Sequence, residues 1–140
     1  MDVSDADRVE ELAEIASTFL TDLGGERGLV MHGDEDSSTP VVQTFFGLSY
    51  DEIHLLMLQF NEIAERFVGV YCDEARGRQI LMAPLRDAVG DCLGWLYVDT
   101  RIGFPEDAFD SLTQFARSYV ASLLEICVLR PALPRRRKPA

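Results

Sequence analysis

Thiols and imidazoles are scarce in this chain. Its three cysteines, Cys72, Cys92 and Cys127, lie far apart with no CxxC pair, and its only histidines are His32 and His54. An odd, scattered set of cysteines builds no disulfide framework and points to a reducing compartment. Without closely grouped thiolates and imidazoles there is no structural zinc site, so neither a metal nor another cofactor is expected. Long apolar runs are also missing. No stretch of eighteen apolar residues occurs, which excludes a membrane-spanning helix. The first residues, MDVSDADRVEE, lack the basic flank and apolar centre of a secretory signal, so a cytoplasmic location is expected.

Positive charge is short as well. Thirteen basic residues face 24 acidic ones, for a net charge of −11 and a pI near 4.5, the wrong sign for a nucleic-acid-binding body. The deficit is uneven. Arg130, Arg135, Arg136, Arg137 and Lys138 give the last eleven residues +5, while the other 129 hold 8 basic and 24 acidic side chains, or −16. Lys138 is the single lysine. The acidic clusters at 2–14, 34–36 and 106–110 do not form a twelve-residue calcium loop with alternating oxygen ligands, and they read as solvated surface.

What is present is an ordinary globular composition, 47% apolar and 26% charged over 140 residues. One domain is expected over 1–130, with 131–140, PALPRRRKPA, as a disordered basic tail. That tail suits a nucleic acid, an acidic protein, an anionic membrane or the chain's own acidic body equally well.

Residues 4–23 repeat apolar side chains at three- and four-residue steps from Val9 to Leu23, which predicts a helix stopped by Gly24-Gly25. A short strand at Gly28–His32, a turn at 33–38 and a β-branched and aromatic strand at 40–48 follow. Ser49 with Glu52 makes a capping box for a helix to Phe67, whose apolar face holds Ile53, Leu56, Met57, Phe60, Ile63, Ala64 and Phe67. Strands are expected at Val68–Cys72, Arg78–Arg86 and Asp91–Thr100, with turns at 73–77 and 87–90. Pro84 marks a bulge or an edge. Pro105 opens a last helix reaching about Leu129, with Phe109, Leu112, Ala116, Tyr119, Val120, Leu123 and Cys127 as its buried stripe. The order α-β-β-α-β-β-β-α with a tight final hairpin predicts an α+β fold with an at least partly antiparallel sheet.

Residues 80–124 resemble the C-terminal half of a GAF domain. The resemblance rests on Pro84-Leu85 at a strand end, on Gly94-x-Leu96-x-x-Asp99 after a hairpin, on Phe104 before Glu106 and Asp107, and on Leu112 with Phe115-Ala116. The N-terminal half is similar in its leading helix followed by Arg27-Gly28 and an apolar strand, and the region 44–78 is short for the family. The resemblance implies an antiparallel sheet of five or six strands, with the terminal helices on one face and the middle helix on the other. It also implies a regulatory or sensory module acting by homodimerisation and by binding a protein or a small molecule. No kinase, cyclase, phosphodiesterase or helix-turn-helix segment is read in the chain, so its output is expected to pass through another protein. The Asn-Lys…Phe…Asp-Glu motif of cyclic-nucleotide binders is missing, and no cysteine has the histidine neighbour of bilin attachment.

Strand alternation places Phe46, Tyr50, His54, Tyr71, Met82, Trp95 and Tyr97 between the sheet and the middle helix, where they would either line a ligand pocket or fill it as core. A dimer through 5–23 and 105–129 would use Leu12, Phe19, Phe115, Tyr119, Leu123 and Ile126. An enzymatic alternative comes from the similarity of Cys72-Asp73 and the following strand to free methionine-sulfoxide reductases. There a cysteine attacks the sulfoxide sulfur and a second thiol resolves the sulfenic acid, but no residue from 33 to 71 supplies that second thiol.

Overall fold

The computed structural model describes residues 5–34, 37–66, 71–75 and 77–126, with side chains for 7–33, 41–60 and 77–126. The elements are α1 (Asp5–Asp22), β1 (Arg27–Asp34), β2 (Ser37–Phe46), α2 (Tyr50–Arg66), β3 (Tyr71–Ala75), β4 (Arg78–Arg86), β5 (Cys92–Thr100) and α3 (Ala108–Ile126). The strands form one sheet in the order β2-β1-β5-β4-β3, and every neighbouring pair is antiparallel.

Two cores lie on the two faces. On one, Ala13, Ala16 and Leu20 of α1 and Leu112, Tyr119 and Leu123 of α3 pack on Val30, Leu81, Leu85, Leu96 and Val98. On the other, Ile53 and Phe60 of α2 pack on Leu29, Met31, Met82, Trp95 and Tyr97. The apolar stripes expected on all three helices account for this layering. Phe109 departs from its stripe and is 43% exposed, while Ala108, four residues before Leu112, is buried at the head of that stripe.

The helix ends follow the local chemistry. Gly24 closes α1 at φ 104°, a left-handed conformation that glycine adopts without penalty. At α2 the capping box forms in both directions: Glu52 N–H donates to Ser49 Oγ (3.2 Å) and Ser49 N–H donates to Glu52 Oε1 (3.0 Å).

Three strand boundaries differ from the sequence reading. β1 and β2 run into the region assigned to the turn at 33–38, with Asp34 opposite Ser37. Of the strand expected at Val68–Cys72, residues 68–70 lie outside those described; β3 covers Tyr71–Ala75, so Asp73 and Glu74, read as part of a turn, lie in an edge strand, where charged residues are well tolerated. Pro84 pairs with Trp95 of β5 just before the register shift between Leu85 and Arg86. Residues 127–140, which carry Cys127 and the basic tail, lie outside the described residues.

Two bulges decide which side chains face which helix. Val30 pairs with Thr44 but Met31 with Val42, leaving Gln43 as an extra residue on β2. Leu85 pairs with Gly94 but Arg86 with Cys92, leaving Leu93 extra on β5. Each bulge reverses the period-two alternation on its strand. Val42 therefore faces α2 while Phe46 packs on the terminal-helix side, and Leu93 joins Leu96 and Val98 there.

Candidate functional site

The α2 face of the sheet carries charge at one end. On β5, Trp95, Tyr97 and Asp99 alternate toward α2, and Asp99 is fully buried. A buried carboxylate is costly unless it is paired and hydrogen-bonded. The neighbouring strands supply that pairing. Arg27, directly opposite Asp99 on β1, donates through Nε to both carboxylate oxygens (2.9 and 3.0 Å) and through Nη2 to Oδ2 (2.8 Å). Arg78 on β4 donates through Nη1 to Oδ1 (2.9 Å), and the Tyr97 hydroxyl donates to Oδ2. Burial, followed by this bond to a carboxylate, raises the Tyr97 phenol well above its usual range, so it stays protonated as a donor.

From above, Glu52 of α2 closes the assembly. One of its oxygens holds the capping box and the other accepts from Arg27 Nη1. Its pKa is lowered, chiefly by the Ser49 backbone and side-chain bonds and further by Arg27. Glu26, just before β1, accepts from the Arg101 N–H and the Thr100 hydroxyl, and these bonds lower its pKa as well.

Beside this network a cavity of about 410 Å³ opens between the sheet and α2. Its polar lining residues are Arg27, Glu52, Gln59, Arg78, Tyr97 and Arg101, and its apolar ones are Leu48, Leu55, Leu56 and Ile80. The volume falls within the roughly 300–1,000 Å³ common for small-molecule pockets.

Of the seven side chains that the sequence placed on this face, Tyr97 lines the cavity. Met82 and Trp95 lie on the same face, in the packed apolar core beyond it, where Trp95 stacks on Phe60 with ring centroids 5.4 Å apart. Phe46 is corrected to the opposite face: it sits over Gly28, and a Cβ there would lie 2.3 Å from its ring. Tyr50 is 81% exposed and meets Phe45 edge-on, and His54 is exposed on the outer side of α2. Tyr71 pairs with Met82 in register, and its side chain lies outside those described. The arginines, Glu52, Gln59 and Asp99 had no place in the pocket read from the sequence. An acid two residues beyond Tyr97 on an otherwise apolar strand was the available signal, since it must find a cation.

The thiols offer less. Cys92 is buried, donates through Sγ to the Gly94 carbonyl (3.3 Å), and has its pKa raised by burial. That leaves it a poor nucleophile. The Cys72 and Cys127 side chains lie outside those described. Among the described residues no three His, Cys, Asp or Glu side chains are grouped to hold a metal ion, and no helix is long and apolar enough to cross a membrane.

On the terminal-helix face, Phe19 of α1 stacks on Phe115 of α3 with centroids 4.1 Å apart and planes at 5°. Leu12, Phe19, Phe115 and Ile126 are half-buried against the core. Tyr119 and Leu123 are corrected as interface candidates: both are buried within the protomer. Tyr119 spends its hydroxyl on His32 Nε2 (2.7 Å), while His32 Nδ1 meets the Gly33 carbonyl (2.7 Å), so together they tie α3 to β1. Among the described residues, the large apolar side chains that face outward on these helices are Ile15, Phe109 and Leu124.

Neither a protein-family model nor a curated protein matches the sequence. Solved structures do. A GAF domain/HD domain protein from Geobacter sulfurreducens overlaps 84% of this chain and 93% of its own at a TM-score of 0.61 and 12% identity. A putative IclR-family transcriptional regulator domain (TM-score 0.45, 11% identity, 87% and 98% covered) and the Agobacterium tumefaciens repressor BlcR (0.44, 14%, 84% and 66%) superpose more loosely. The layered α+β architecture, the antiparallel sheet and the first of these overlaps agree with the sequence resemblance, and the chain has a GAF-like fold.

Proposed function

We propose that this chain is a non-catalytic regulatory module. It takes up a small molecule between the sheet and α2 and passes the event to a homodimeric or other protein partner through its terminal helices. The observation that carries this reading is the cavity. A pure interaction module would have that space filled, and Phe60, Met82 and Trp95 fill only part of it. Arg101, on the cavity wall, begins the loop that leads from β5 into α3, and Gln79 Oε1 accepts the Phe104 N–H (2.7 Å) in the same loop. A ligand touching Arg101 therefore pulls on the segment that sets α3. Ile15, 58% exposed, and Leu124 on the outer side of α1 and α3 offer apolar surface to a second copy or another protein.

A thermal-shift screen of the full chain against nucleotides, amino acids, organic acids and sugars, with light scattering on the same samples, tests the reading. At least one compound is expected to raise Tm by several degrees, because binding to the native state alone stabilises it, and scattering at micromolar concentration is expected to give a dimer mass. A monomer that no compound stabilises would sink the proposal.

A further inference from the structure

We infer that the cavity ligand is a small amphipathic monocarboxylate, its carboxylate held by Arg78 and Arg101 and its apolar body laid against Leu48, Leu55, Leu56 and Ile80. The inference rests on the reading of the cavity as a ligand site and names the chemistry of its occupant.

The argument is one of unused donors. A guanidinium carries five N–H groups in a rigid fork. Arg27 spends its fork on Asp99 and Glu52. Arg78 spends only Nη1, on Asp99, so among the described residues its Nε and Nη2 hydrogens have no protein acceptor. The Arg101 guanidinium donates no hydrogen bond among the described residues, and Glu26 takes the Arg101 backbone N–H instead. Two guanidinium forks whose remaining donors no described residue accepts thus border one cavity. A planar anion that accepts from both edges of such a fork suits this best.

Charge limits the anion to one negative unit. Glu52 stands on the wall, Asp99 lies beneath it, Glu26 flanks Arg101, and the whole chain carries −11. A phosphate dianion or a polycarboxylate would face these acids at close range, where like charges in a partly dry site repel strongly. Apart from the charged groups, Tyr97 and the neutral Gln59, the described lining is Leu48, Leu55, Leu56 and Ile80, which offer no polar group to a second charged head. One charged end and one aliphatic end describe a monocarboxylic acid.

Titration calorimetry of the full chain with hexanoate, hexanamide and hexyl phosphate tests this. Hexanoate is expected to bind. Hexanamide, the same size without the charge, is expected to bind at least about 10-fold more weakly, the loss of a charge-assisted pair, and hexyl phosphate more weakly than hexanoate. Arg101→Gln is expected to lower hexanoate affinity by at least about 10-fold and leave Tm without ligand unchanged, since Arg101 is exposed. Arg78→Lys keeps the charge beside Asp99 and is expected to weaken hexanoate because the fork is lost. Equal binding of hexanoate and hexanamide, tighter binding of hexyl phosphate, or an Arg101→Gln variant with unchanged affinity would overturn the assignment. If hexanoate fails while a neutral or cationic compound from the broad screen stabilises the chain, the carboxylate is wrong and the regulatory reading stands. If nothing binds and the chain is a monomer, both fall; if nothing binds a dimer, the carboxylate and the ligand half of the regulatory reading fall.

Discussion

Asp99→Ala is expected to destabilise the fold by about 3–5 kcal/mol, the usual cost of removing one partner from a buried charge pair. The loss is large because Asp99 is the common acceptor of three donors from three places: Arg27 on β1, Arg78 on β4 and Tyr97 on its own strand. Alanine would leave two guanidinium side chains, 21% and 14% exposed, crowded together with no carboxylate between them, together with a phenol whose O–H has lost its acceptor. Asp99→Asn keeps the size and one carbonyl oxygen and is expected to lose about half as much. Urea denaturation followed by Trp95 fluorescence reads both, because Trp95 is the only tryptophan, is 2% exposed and stacks on Phe60. A loss under about 1 kcal/mol for the alanine variant would mean that the network is an ornament of the cavity and not a fastening of the sheet.

The layering was legible in the sequence, and the parity of the strands was not. Helix stripes, the Ser49–Glu52 box and the hairpin at 87–90 are local signals, and each leaves a pattern in adjacent residues. Facing is different. An extra residue at Gln43 puts Phe46 on the terminal-helix side, and another at Leu93 does the same to that leucine, yet neither residue type marks a bulge. Strand alternation carried straight through Gln43 therefore placed Phe46 on the wrong side. The polar half of the cavity was hidden for a related reason. Arg27, Arg78 and Asp99 lie far apart in sequence and become neighbours only through the order β1-β5-β4, which pairing at long range creates.

Gly94→Ala is expected to cost at least about 3 kcal/mol, at or beyond the top of the usual range for overpacking. The reason is contact, not backbone conformation. Gly94 lies directly opposite His32 on β1, and a Cβ there would stand 2.1 Å from the Met31 carbonyl oxygen and 2.7 Å from His32 Cα. Those are backbone atoms of a central strand, which cannot swing aside as a flexible side chain can. Relief would require β1 and β5 to separate beside the Leu93 bulge, which would strain the His32–Tyr119 tie to α3 on one face and the packing of Met31 on the other. Gly24→Ala is the control. Nothing lies within 4 Å of a Cβ at Gly24, so its positive φ alone is penalised, at about 1–2 kcal/mol. If the Gly94 variant loses no more than the Gly24 variant in urea, close approach does not explain Gly94. With that explanation, the spacing Gly94-x-Leu96-x-x-Asp99 acquires a physical sense. On a single strand, Gly94 lets β1 come close, Leu96 faces the terminal helices from an even position, and Asp99 faces α2 from an odd one. One strand thereby joins the two helical layers and holds the arginines at the cavity.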